Sequence, residues 1–442
     1  MMSEYLFARF RRGLVVLNLF ERSPWLLVVG LALLVMPLWA QAQNVGPVLP
    51  LSEVLSRAEA YSPRLKSATA GVSAAHGSEV QARLLPNPSA SLESENFAGT
   101  GSFGGFRGSE TTLSASQLIE LGGKRDARQA IAAAARRTAE VDVGAARLDL
   151  VRDVTLAYVD AVAATETLRL ARDLETTAKR VFDDVSRRVG AARDPLYQRS
   201  RAEVAYTAAT IARQRAEDAE RAARKKLASY WGADTLSERL DSGVLFERPA
   251  PSDLPAYQAR LRETPELVRL DRIREARSAE LRLAEAGAVP DVTVSAGVRR
   301  LQGSSDTAFI AGVSLPIPVF NQNQGEIART SAEVVRAARE REQAERERTR
   351  ELIEAWAQWN SSWSEADQLN TRSIPQAERA FAQVLAGYRA GAFQYLDVLD
   401  IQRTLFETRT AHIAALARLQ TARATVERLT AATPPAQPET SP

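Results

Sequence analysis

The chain has 442 residues, no cysteine and a formal net charge of +3. Without cysteine it can hold neither a disulfide nor a cysteine-linked lipid, and a charge so near neutrality gives no reason to expect nucleic acid. Aromatic residues make up 6% of the chain while alanine and arginine abound, which favours long helices over a β-rich core.

Residues 1–42 read as an export signal. Arg9, Arg11, Arg12 and Arg22 form a positive region, Pro24 to Trp39 an apolar core, and Ala40-Gln41-Ala42 a small-residue cleavage site. A retained anchor is the alternative, but the apolar run is short of the roughly 20 residues usual for a span, and Pro37 interrupts it. Four arginines and two glutamates fall in this stretch, leaving about +1 for the rest. Export implies a periplasmic or outer-membrane destination.

The first unit is predicted over 43–231. Leu49 to Leu85 has helical spacing, interrupted at Ser62-Pro63 and stopped by Pro86-Asn87-Pro88. Two strands follow near 89–97 and 110–119, joined by a glycine- and serine-rich loop. Gly122-Gly123 opens a helical pattern to about Arg188, roughly 100 Å at about 1.5 Å per residue. Val189 to Pro195 is a turn, and Leu196 to Tyr230 is helical again. Residues 232–253 form an irregular linker.

A second unit over 254–431 repeats this order. Thr264-Pro265 echoes Ser62-Pro63, and strands are predicted near 291–300 and 308–317, with Val292, Val294, Ala296 and Val298 alternating cleanly. Pro316 and Pro318 end ladder pairing. A long helix is predicted from Asn323 to Tyr388 with a kink at Ile374-Pro375, Gly391 to Gln394 turns, and Tyr395 to Leu429 returns. Residues 432–442 form a proline-rich disordered tail. The predicted fold is mainly α with a small β part, a duplicated helix–strand–strand–long helix–helix unit.

Four strands of about ten residues suit an outer-membrane crossing, yet lipid tolerates no open sheet edge and four strands cannot close. Two chains would give eight strands and a filled barrel; three give twelve and a channel. Helices of this length should also pack laterally against neighbouring chains. One stripe is Leu150, Val154, Ala157, Tyr158, Ala161 and Val162, and another Leu352, Trp356, Trp359 and Trp363. Taken singly, these residues equally suit the core of a soluble bundle.

Signal, duplicated layout, elbow and turns resemble the TolC-type outer-membrane efflux proteins. Leu315-Pro316-Ile317-Pro318-Val319-Phe320-Asn321-Gln322-Asn323-Gln324-Gly325, with Glu120-Leu121-Gly122-Gly123-Lys124-Arg125, looks most like the branch exporting cobalt, zinc, cadmium or nickel. The resemblance covers nearly all of the chain after the signal. It implies a homotrimer with a twelve-stranded β-barrel in outer-membrane lipid, continued by a periplasmic α-helical barrel of twelve long helices. It also implies no catalysis, and docking onto a periplasmic adaptor protein and an inner-membrane proton-driven pump.

Asp397 and Asp400, three residues apart, share a helix face. In a trimer they would place six carboxylates around the axis, a cation-concentrating ring whose crowding should raise and couple their titrations. By resemblance they match the family's periplasmic constriction, and Tyr388 its gate tyrosine. The family's gate arginine would fall on Phe393, and Leu196 occupies the usual acidic position, with Asp194 two residues earlier. Solvated surface charge is the plainer account of the two aspartates.

Val189-Gly190-Ala191 and Ala390-Gly391-Ala392 sit where the hairpins turn. Helix-end glycine with positive φ is one explanation, and close approach of adaptor helices, which the resemblance implies, is another. His76 and His412 have no partner at metal-ligand spacing, so no metal site and no cofactor is expected. Three readings stand: a conduit for divalent heavy-metal cations, a conduit for drugs or other small molecules, and a periplasmic coiled-coil adaptor or scaffold, which would leave the strands unexplained.

Overall fold

The computed structural model describes residues 48–432; the expected export signal and the tail beyond Ala432 lie outside them. The first elements are a two-residue strand β1 (Val48–Leu49) and helices α1 (Leu51–Tyr61) and α2 (Pro63–Ala82). The break between the helices has a local cause. The Ser62 side chain accepts from the Leu65 backbone N–H at 3.3 Å, and Pro63 occupies the first helical turn, where no N–H is needed.

Strands β2 (Ser89–Glu95) and β3 (Glu110–Ile119) lead into the 67-residue helix α3 (Lys124–Gly190), and α4 (Leu196–Ala228) returns. A linker follows, with β4 (Arg239–Leu240), α5 (Gly243–Phe246) and α6 (Leu254–Arg260). Beyond it come α7 (Pro265–Gly287), β5 (Val292–Leu301), β6 (Asp306–Ser314), α8 (Gln324–Gln368), α9 (Ile374–Ala390) and α10 (Tyr395–Thr430). The strand bounds shift from expectation at β2, β5 and β6, and β6 stops at Ser314, two residues before the first proline of the elbow. Left-handed residues precede both long helices, Gly123 at φ 79° and Asn323 at φ 62°. Between α8 and α9, Leu369–Ser373 forms a π turn, which absorbs the N–H that Pro375 lacks without ending the helix.

β2, β3, β5 and β6 form one antiparallel sheet in that order. Its register sorts side chains by chemistry. Leu92 lies opposite Leu113, Leu113 opposite Val298, and Val298 opposite Phe309, so one row across all four strands is apolar. The neighbouring row, Glu93–Thr112–Arg299–Ala308, points to the other face. There Arg299 donates to Glu110 Oε2 at 3.1 Å and Thr112 Oγ1 at 3.0 Å, and Ser91 and Ser114 hydroxyls meet at 2.8 Å. Phe309 is 89% exposed on the apolar side. Among the described residues, β2 and β6 each lack a partner on their outer edge.

The helices continue this order. Next to the sheet α2, α3, α7 and α8 lie side by side, and towards the far end α4, α3, α10 and α9 do. Around the middle, β1 pairs in parallel with β4, and the linker wraps the bundle. Tyr158 is fully buried there, donating to Leu49 O at 2.8 Å and accepting from the Asp241 N–H at 2.8 Å. Both apolar stripes, expected to need neighbouring chains, are instead covered within the chain. Leu150, Val154 and Tyr158 share a core with Leu352, Trp359 and Leu416. Trp356 and Trp363 donate their indole N–H groups to linker carbonyls, Ser252 O at 2.9 Å and Arg248 O at 3.2 Å. The linker supplies the missing layer.

Candidate functional site at the hairpin tips

The two helical hairpins end together at the pole remote from the sheet. Tyr388, in the last turn of α9, is 2% exposed and packs with Val181, Val185, Tyr395 and Val398. Its hydroxyl donates to Asp194 Oδ2 at 3.0 Å, in the turn of the other hairpin. Arg188 donates to the same carboxylate through Nε at 2.8 Å and Nη2 at 3.3 Å. Its Nη1 donates to Tyr388 O at 3.2 Å, and its guanidinium carbon lies 4.7 Å from the Tyr388 ring centroid. Arg188, Asp194 and Tyr388 therefore lock the two hairpins together within one chain. Asp184 adds a second tie, contacting Arg187 in its own helix and Arg389 across the hairpins at 3.5 Å.

This geometry sets the electrostatics. The Arg188 guanidinium, with a smaller contribution from the Tyr388 hydroxyl, holds the Asp194 carboxyl below the usual carboxylate range despite the opposing effect of burial. Burial, then the bond to Asp194, pushes the Tyr388 phenol up, so it stays a donor at any physiological pH. Burial alone pushes Tyr395 up to about 12.

The sequence-predicted residues sort unevenly. Tyr388 lies in the contact between the two hairpins. Asp397 and Asp400 lie on the exposed side of α10. Asp397 is committed locally: its Oδ2 accepts from the Gln394 N–H at 2.9 Å in a capping box that starts α10. Neither aspartate forms an ion pair among the described residues. Phe393, at the position expected for an arginine, lies against the Gly387 backbone, where an added Cβ would meet its ring at 2.3 Å. The charged groups that meet Tyr388 are instead Arg188 and Asp194, not Phe393 or Leu196. The spacing Arg188-x5-Asp194 around the turn was the available signal.

The tip glycines differ from one another. Gly391 has φ +86° and ends α9, with the Ala392 N–H reaching Gly387 O at 2.8 Å. Gly190 does not have positive φ; in that turn Ala192 takes the left-handed conformation at φ 54°. The helix-end account therefore fails for Gly190, around which an added Cβ would meet nothing within 4 Å. Val189 packs against the Tyr388 cluster, while Gly190, Ala191, Ala390, Gly391 and Ala392 are exposed at the pole. His76 is exposed; His412 is buried, with its Nε2 unpartnered and its basicity lowered by that burial. No cluster of three metal-ligating residues occurs among the described residues.

The profile of the outer membrane efflux protein family matches residues 54–233 and 256–432. The cobalt-zinc-cadmium resistance protein CzcC of Cupriavidus metallidurans is 30% identical over 394 residues, 88% of this chain and 91% of that protein. The nickel-cobalt-cadmium resistance protein NccC of Alcaligenes xylosoxydans is 26% identical over 299 residues, 68% of this chain and 67% of that protein. A solved structure of CusC superposes with a TM-score of 0.73 at 18% identity, covering 86% of this chain and 92% of that one.

Proposed function

The chain belongs to the outer membrane efflux protein family, and from that premise we propose that it is the outer-membrane channel subunit of a tripartite system exporting divalent heavy-metal cations. The observation that carries this reading is the sheet: one apolar face, one polar face and two unpaired edges. An open edge is untenable in lipid, so β6 of one copy would pair with β2 of the next. Three copies give twelve strands, with the Leu92–Phe309 row towards lipid and the Arg299 row towards the lumen. The helical layers, open along the same two edges, would close with them into a barrel continuing the lumen through the periplasm.

In this reading each chain carries two equivalent repeats, helix–strand–strand–long helix–helix, and the passage is passive. A periplasmic adaptor would engage the exposed tip around Gly190 and Gly391, and an inner-membrane proton-driven pump would load the cargo. Asp397 and Asp400 would give the entrance its preference for cations, and the Arg188–Asp194–Tyr388 lock would hold it narrow. The metal assignment is supported by the relatives named for cobalt, zinc, cadmium and nickel. A cell lacking this chain should lose tolerance to those cations and keep its tolerance to hydrophobic drugs. Loss of drug tolerance alone would replace the metal reading with the small-molecule one. A chain found only in soluble periplasmic fractions would favour the scaffold.

A further inference from the structure

The elbow beyond β6 exposes large apolar side chains that no described residue covers. Ile317 is 80% exposed and Phe320 is 91% exposed, and the next charged residue along the chain is Glu326. At the opposite edge of the sheet a groove of about 660 Å³ lies between α2 and α3, just before β2. Leu85, Pro86, Ile131 and Ala132 line its walls. Its two charged residues, Glu120 and Arg128, neutralise one another through a paired contact that includes Arg128 Nη2 to Glu120 Oε2 at 2.8 Å. The groove therefore offers apolar walls and no free charge, and suits an uncharged apolar occupant.

The register says what would reach it. Ser89 lies opposite Ser116, Ile119 opposite Val292, and Thr293 opposite Ser314, so the start of β2 and the end of β6 lie at the same, helix-side end of the sheet. If β6 of one copy pairs with β2 of the next, Leu315 to Phe320 of the first copy continues alongside Leu84 to Pro88 of the second. We infer that Phe320 of each copy seats in the Leu85–Ile131 groove of its neighbour, plugging the subunit seam where the barrel meets the helices. The occupant is a second copy of this chain. The inference rests on the barrel-closure reading and adds to it a specific anchoring residue and its receptor.

Because the chain has no cysteine of its own, the contact can be tested by pairwise thiol cross-linking. Leu85→Cys combined with Phe320→Cys, oxidised in purified detergent-solubilised protein, should give a covalent trimer on denaturing gels, whereas either single substitution should not. Phe320→Asp should in parallel lower the temperature at which the trimer dissociates, and Phe320→Leu should largely preserve it. Light scattering on the uncoupled protein separates the two levels of failure. A trimer that forms no covalent product through this pair overturns the inference, leaves barrel closure intact and assigns the elbow to lipid. A protein that is monomeric in mild detergent overturns the closure reading itself.

Discussion

At the sheet end, β2 and β6 leave rows of backbone donors and acceptors without partners among the described residues, and side chains such as Phe309 and Phe320 stand almost wholly exposed. At the hairpin tips, Arg188, Asp194 and Tyr388 satisfy one another inside a single chain. The first end is incomplete alone, because apolar surface and unpaired ladder groups both need something outside the chain. The second is complete alone: its charged and hydroxyl groups need no neighbour to be satisfied. On the proposed reading, assembly and gating depend on different residues and can be broken separately.

The largest effect is expected at the sheet. Leu113→Arg places a charge in the apolar row of an inner strand and should cost about 2–4 kcal/mol where that row lies near the bilayer midplane. It should abolish recovery of trimer from outer-membrane fractions, while Ser114→Arg on the polar face should leave that recovery intact. Equal loss in both variants would mean that the faces are not divided between lipid and lumen. At the tip, Tyr388→Phe removes a hydrogen bond to a carboxylate, worth roughly 1.5–3 kcal/mol. It should raise single-channel conductance in planar bilayers without changing trimer yield. Unchanged conductance would remove the lock from the gate.

A subtler effect concerns pH. Asp194 is held below its ordinary value of 3.8, so the carboxylate's contribution to the lock is fully present above that value and is lost only as pH falls through the lower one. Acidification from neutral to pH 5 should therefore leave conductance unchanged, and Arg188→Gln should move the opening to higher pH. For the ring, Asp397→Asn with Asp400→Asn removes both charges while keeping an acceptor at the capping position. The expected result is a shifted reversal potential in a salt gradient at unchanged conductance; no shift would make both aspartates solvated tip charges. Smallest of all, Gly190→Ala meets open space at ordinary backbone angles and should change stability by at most about 1 kcal/mol. A loss of efflux in that variant would then report on adaptor docking.

Much of this architecture was legible beforehand because it is written in short-range periodicity. Alternation at Val292–Val298 located β5, and the prolines at 63, 86, 316 and 375 located the breaks. What escaped was set by residues distant in sequence. The tryptophan stripe reads identically whether a neighbour or the linker covers it, and only the fold brings Ser252 to Trp356. Phe393 and Leu196 departed from the expected gate chemistry. Asp194 stood two residues from the expected acidic position, but its partner Arg188 emerged only once Tyr388, about 200 residues away, had been placed beside both. Gly190 looked equivalent to Gly391, yet the left-handed residue of its turn is Ala192.

A fastening that begins and ends in the same chain is a private one. Three copies around an axis would carry three such fastenings with no shared atom, so releasing one gives the next no direct help. Assemblies mixing intact chains with chains altered at Asp194 should then widen in discrete, statistically independent steps, populated in binomial proportion to the mixture. Concerted opening, where it occurs, would have to be imposed from outside, by whatever grips all three tips together.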